Sequence, residues 1–250
     1  MRSISRFVVG HMALAAFLCL PNSVLAQHAG DIDLEVPVPG GRIVTAGGDY
    51  PGTYAGRVFE GIMPSSGVRE TNSPGFDSAN GTFPANAPIR FDFVKQLLYW
   101  NGTELTTPTS SLTVSYGSSK TATIGGNDTA GLSGFLIDTA DANGSFHKHM
   151  WFSLPTDAAA GLYGVVLTMG PGVGATGFTT SDSFLVAFST GSFADPAVGL
   201  DAMVDVAFAP VPEPSSIALA GLGVAGALAA GWRRRRRAAA AKSANAEIAR

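Results

Sequence analysis

Between residues 27 and 210 the chain is cut repeatedly by pairs that turn a backbone: Gly40-Gly41, Gly47-Gly48, Pro51-Gly52, Asn80-Gly81, Asn101-Gly102, Gly125-Gly126 and Asn143-Gly144. The intervals leave little room for helices. They hold short apolar or alternating runs at 32–38, 42–45, 54–60, 89–100, 111–116, 121–124, 132–137, 145–154, 162–169 and 183–189. Runs of that length bounded by turn residues are strands. Their number predicts an all-β fold, an antiparallel β-sandwich, with a jelly roll as the near alternative. Residues 65–87 are interrupted by proline and show no clear periodicity, so they read as an ordered surface or functional loop. One short helix is expected at 195–207, with Asp195 as N-cap and Pro196 in the first helical position.

The two ends read differently from the middle. Residues 1–26 have the form of a secretory signal: Arg2 and Arg6, an apolar stretch over 7–20, then Ser23-Val24-Leu25-Ala26 for cleavage after Ala26. A buried N-terminal helix is the alternative. A lipoprotein site at Cys19 is disfavoured because Leu18 precedes it, where a small residue is wanted. Near the other end, Pro212, Glu213 and Pro214 are followed by an uncharged apolar segment (217–232) and by Arg233, Arg234, Arg235, Arg236 and Arg237. The segment is short for a transmembrane helix, but snorkelling arginines help it cross. The positive-inside rule places the arginines in the cytoplasm and residues 27–210 outside. The organisation expected is a signal peptide (1–26), a sandwich ectodomain (27–194), a short helix and linker (195–210), a sorting and anchor segment (211–237) and a cytoplasmic tail (238–250).

This tripartite end resembles the PEP-CTERM sorting signal of Gram-negative bacteria. The resemblance implies recognition by an exosortase-type processing enzyme. The tail of 238–250 departs from the pattern, since such proteins usually end soon after the basic cluster. The localisation implied is export and inner-membrane anchoring with the ectodomain in the periplasm, then the cell surface or extracellular matrix.

Charge and cysteine content remove several classes. Residues 27–210 carry 17 Asp and Glu against 7 Lys and Arg, a net charge of −10. That balance excludes nucleic acid as a partner and favours cations. The only cysteine, Cys19, lies in the signal, so the mature chain has no disulfide, thiol nucleophile or thiolate metal site.

Outside the signal there are three histidines: His28, His147 and His149. On a strand, residues two apart share a face with Cβ atoms about 7 Å apart. Two imidazoles so placed can converge on one metal at about 2.0–2.1 Å, while Lys148 points to the opposite face. A polar strand face is the plainer account of a His-x-His. His28 stands near Asp31 and Asp33, which also share a strand face, and the three offer donors suited to zinc. A solvated terminus is the plainer account there. The metal expectation is zinc held by His28, His147 and His149, with Asp31 or Asp33 or water completing the set.

Several stretches are similar to a family of PEP-CTERM proteins placed in cyanobacteria under the zinc-uptake repressor Zur. They are His28-Ala29-Gly30-Asp31-Ile32, Gly75-Phe76-Asp77, Leu97-Leu98-Tyr99-Trp100-Asn101-Gly102, Gly134-Phe135-Leu136-Ile137 and Ala140-Asp141-Ala142-Asn143-Gly144-Ser145-Phe146-His147-Lys148-His149. The resemblance implies a link to zinc limitation. The His-x-His run also has a weaker, local likeness to surface-anchored proteins that accompany metal ABC transporters.

Other patterns carry less. Residues 138–144 contain part of a calcium-loop pattern, but Thr139 and Met150 stand where it needs an acidic or amide residue and a glutamate. A turn at Asn143-Gly144 explains the segment better. Glu60, Glu70, Asp77 and Glu104 offer carboxylates for a glycosidase, yet nothing sets two of them at a defined separation. Trp100, Trp151, Tyr99 and Phe152 suit a sandwich core better than a sugar platform. The function expected is a non-enzymatic, exported zinc-binding accessory for capture or buffering, partnered by the membrane and zinc-uptake machinery. The alternative is a structural envelope or exopolysaccharide-matrix protein, and a zinc or carbohydrate hydrolase is third.

Overall fold

A computed structural model describes residues 30–128 and 132–209. The expected signal peptide, His28, the sorting segment with its expected anchor, and the expected tail lie outside the described residues. Within them the chain is mostly β. In order the strands are β1 (Ile32–Glu35), β2 (Val44–Ala46), β3 (Val58–Met63), β4 (Arg69–Thr71), β5 (Phe76–Asp77), β6 (Pro88–Phe93), β7 (Leu98–Trp100), β8 (Leu105–Thr106), β9 (Leu112–Tyr116), β10 (Lys120–Ile124), β11 (Ser133–Thr139), β12 (Trp151–Leu154), β13 (Gly161–Pro171) and β14 (Phe184–Thr190). One α-helix, α1 (Pro196–Phe208), follows.

The strands form three sheets. A seven-stranded sheet runs β11-β6-β13-β14-β3, with β7 on the other half of β13 and β8 beyond it. A four-stranded sheet runs β10-β9-β12-β4 and a three-stranded one β2-β1-β5. Two pairs are parallel, β1 with β5 and β14 with β3; the other ladders are antiparallel. The expectation of a purely antiparallel arrangement is corrected to that extent.

Alternation sets the faces. In β6, Ile89, Phe91 and Phe93 are buried, while Arg90 and Asp92 point outward and pair at 2.6 Å. All three sheets feed one apolar cluster: Phe91, Phe93, Val165 and Phe188 from the seven-stranded sheet, Leu112, Val114 and Phe152 from the four-stranded, Ile32, Leu34 and Phe76 from the three-stranded. The continuous apolar run of β13 is buried on both faces. Its second face meets Leu98, Trp100 and Leu185 and is covered by Leu200, Met203, Val204 and Ala207 of α1.

The helix forms where Asp195-Pro196 predicted, but its start differs. Asp195 adopts left-handed geometry and makes no side-chain cap; Gly199 N–H reaches the Asp195 carbonyl at 3.1 Å instead. Close docking depends on Gly199, where a Cβ would fall 2.6 Å from the Trp100 ring. Polar contacts fix the rest: Tyr50 donates to Asp201 at 2.7 Å and Lys95 to the Val206 carbonyl at 2.7 Å. Phe208 stacks on Tyr54 at 4.4 Å, with the Arg57 guanidinium over its ring.

The bond to Asp201 pushes the Tyr50 phenol up to about 12, with smaller help from burial and from Asp205. A phenol raised in the fold contributes stability that is whole below about 10 and lost as pH rises through its folded value. The site is open to solvent, so the contribution is about 0.5–1 kcal/mol. Tyr50→Phe should lower urea stability by that amount at neutral pH, with the gap narrowing above about pH 10. A gap that does not change with pH would mean the bond contributes nothing.

The expected runs at 54–60 and 89–100 are each divided, the first opening on a 3-10 turn (Gly52–Tyr54) and the second splitting into β6 and β7. Residues 65–87 are not loop throughout, because β4 and β5 lie within them. Each is too short for alternation to show in sequence, and each is fixed by its partner, β4 by β12 and β5 by β1.

Among the described residues no helix is long and apolar enough to cross a membrane. The expected crossing at 217–232 lies outside them.

Candidate metal centre

The centre is assembled where β5 bridges two distant segments. On one side β5 runs parallel to β1, with Ile32 opposite Phe76 and Asp33 opposite Asp77. On the other side Phe76 and Lys148 exchange backbone hydrogen bonds of 2.8 and 2.9 Å. These registers place two rows of residues across one face: Asp31, Gly75 and His149, then Asp33, Asp77 and His147.

The run 145–154 was expected as one strand, but β12 begins only at Trp151. The His-x-His segment is extended and shares a single bridge. Its partner β5 has just two residues, and Pro74 before it offers no N–H to prolong the ladder. The two-residue spacing still aims both rings one way, with centroids 5.0 Å apart at 71°. Lys148 points away and pairs with Asp138 at 2.9 Å. That bond raises the Lys148 ammonium against an opposing effect of burial. Burial pushes Asp138 up, but the bonds from Lys148, Thr139 and Tyr116 hold it below the usual carboxylate range.

His149 is fixed by its surroundings. Its Nδ1 lies 2.8 Å from the Asn72 carbonyl oxygen. A carbonyl only accepts, so Nδ1 carries a proton, and in the neutral ring it is Nε2 that holds the lone pair. The ring lies over Gly75, where any Cβ would fall 2.5 Å from it. Nε2 is 3.6 Å from Oδ2 of Asp31. Asp31 is 4% exposed. Its Oδ1 accepts the Gly75 N–H at 2.8 Å, while Oδ2 is buried with no hydrogen-bond partner.

A lone pair facing a buried carboxylate oxygen requires a cation between them, a proton or a metal. Asp31, His147 and His149 each offer a donor atom, and the three atoms lie within 4.8 Å of one another. Donors about 2.0–2.1 Å from a tetrahedral zinc stand about 3.3 Å apart. The pair at 3.6 Å is close to that value. The remaining closure falls to His147, whose side chain is 43% exposed. One carboxylate oxygen and two imidazoles suit zinc by donor type.

The structure thus brings together Asp31, His147 and His149 of the residues anticipated from sequence. Asp33 lies in the neighbouring row, 9% exposed. His28 lies outside the described residues. Gly75, Asp77 and the Asn72 carbonyl were not anticipated as parts of a centre. Their sequence signals are the Gly75-Phe76-Asp77 stretch of the resemblance and the two-residue spacing of Gly75 and Asp77, like that of each ligand pair. The turn at 141–145 is organised by Asp141, which accepts the N–H groups of Asn143 and Ser145 and the Ser145 hydroxyl. Those bonds occupy one of the two carboxylates within the partial calcium pattern, and they hold it below the usual range.

The PEP-CTERM protein-sorting motif matches residues 210–236. The match includes Pro212, Glu213, Pro214 and Arg233 to Arg236. It marks an exported protein, anchored at the membrane before processing, and implies an exosortase as processing partner. No curated protein matches the sequence.

Proposed function

We propose that this exosortase-processed surface protein binds zinc outside the cytoplasm through Asp31, His147 and His149, as a capture and buffering accessory with no catalytic role. The observation that carries the reading is the buried Asp31 Oδ2, without a hydrogen-bond partner and 3.6 Å from the Nε2 of His149. The likeness to Zur-regulated PEP-CTERM proteins and the net acidity of residues 27–210 support the same direction. His28, three residues before Asp31, is the proposed additional ligand, with Asp33 or water as the other choice. Zinc-uptake machinery is the proposed recipient, and the periplasmic face of the inner membrane the proposed first location. The three sheets around one core are read as a jelly-roll-like sandwich, with α1 on its outer face.

The test is zinc calorimetry on the mature full chain in detergent. The expected result is binding tighter than about 10 µM, near −7 kcal/mol. Affinity should weaken as pH falls, because metal binding displaces protons from its ligands. No binding at that level sinks the reading.

A second reading, an envelope or exopolysaccharide-matrix protein, draws on Trp151. It is 43% exposed on the outer face of the four-stranded sheet, opposite Ser115. Retention by an acidic or neutral polysaccharide column that Trp151→Ala abolishes would favour it.

A further inference from the structure

Asp77 lies beside the three proposed ligands but is not one of the group whose donor atoms converge. We propose that Asp77 is a positioning residue for the centre: its carboxylate accepts the Nδ1 proton of His147 and turns the Nε2 lone pair toward the cation. This rests on the zinc reading above.

Three observations carry it. The His147 Nδ1 and the Asp77 Oδ1 are 3.3 Å apart. Asp77 is a fixed point, since its side chain is 18% exposed, Oδ1 also accepts the Ser78 N–H at 2.9 Å, and β5 is held between β1 and Lys148. The His147 ring is 43% exposed and stands edge-on to His149, with centroids 5.0 Å apart.

The arrangement repeats that of His149. Each imidazole has its Nδ1 against an acceptor drawn from the short stretch between Asn72 and Asp77. A metal-bound imidazole ordinarily donates its second N–H to a carboxylate or carbonyl, which fixes the tautomer and makes the ring a better donor. Here a carbonyl serves one ring and a carboxylate the other. The two acceptors thus leave the same nitrogen available on both rings. Asp77 acts through His147, and its oxygen is already engaged twice.

The experiment uses the mature full chain in detergent. Long-range nitrogen–proton correlation spectra of the metal-free protein report each imidazole tautomer, and zinc titration reports affinity. For wild type, His147 should be in the Nδ1–H form. Asp77→Ala should shift His147 toward the Nε2–H form, which free imidazole favours, and weaken zinc about 10–100-fold. Asp77→Asn keeps an acceptor oxygen and should lose less of both. His149 should keep its tautomer in every variant.

If Asp77→Ala leaves the His147 tautomer unchanged and affinity within twofold, the proposal is overturned while the zinc reading stands. If the His149 signature moves as well, Asp77 merely supports the local fold, and the positioning role is overturned. A wild type that takes up no zinc overturns both readings together.

Discussion

Replacing His149 by alanine should weaken zinc binding at least 100-fold, about 2.7 kcal/mol. His149 is the more constrained of the two imidazoles, tied at Nδ1 to Asn72 and seated over Gly75. Its loss removes a donor and takes away the one imidazole nitrogen placed 3.6 Å from the buried Asp31 Oδ2. Gly75→Ala should have nearly the same effect while every donor atom stays in the chain. The new methyl would sit 2.5 Å from the ring, so the ring must leave its present position beside Asp31. His147→Ala should cost less, because the more exposed ring is less preorganised. The readout is calorimetry, supported by thermal unfolding. Zinc at about 100 times its dissociation constant stabilises a protein by about 2.7 kcal/mol. That increment should be present in wild type and absent from His149→Ala and Gly75→Ala. Equal zinc stabilisation in all three proteins would place the metal elsewhere.

Phe76→Ala should destabilise the domain by about 3–5 kcal/mol, the range for removing a buried phenylalanine. Phe76 is fully buried and meets Phe184 edge to face, with ring centroids 6.2 Å apart. Its backbone also joins β1 to the segment around Lys148. The ring anchors the centre from beneath, so the variant should lose zinc affinity as well as stability. Urea unfolding with chelator present isolates the packing part of the effect. A loss below about 1 kcal/mol would mean that the core around β5 closes over the gap.

The long strands were legible because turn residues bound them and alternation has room to repeat. β9, β13 and β14 fall close to where their apolar runs place them. The helix was legible from Asp195-Pro196, although its N-terminus is satisfied through the backbone rather than the aspartate side chain. The strands within 65–87 were not legible, since two or three residues carry no period. That segment then supplies the platform of the centre, which is why Gly75 and Asp77, though both stood out in sequence, could not be placed beside the histidines. The pairing of Asp31 with His149 could not be read either. It joins residues more than a hundred positions apart through β5, which pairs parallel with β1 and antiparallel with the segment around Lys148. What the sequence did contain was the two-residue spacing of each contributing pair, and that spacing survives even where no regular strand forms.

The docked helix also fixes the length of a leash. It ends at Phe208, against Tyr54 and Arg57, and Glu213 of the sorting motif follows five residues later. Five peptide units reach at most about 18 Å however they are arranged. An exosortase acting at that motif therefore works in the shadow of the folded body. Peeling the helix off the sheet would release its 13 residues, up to about 45 Å of extended chain. The apolar contacts of Leu200, Met203 and Val204 thus decide how far the body stands from the enzyme that processes it.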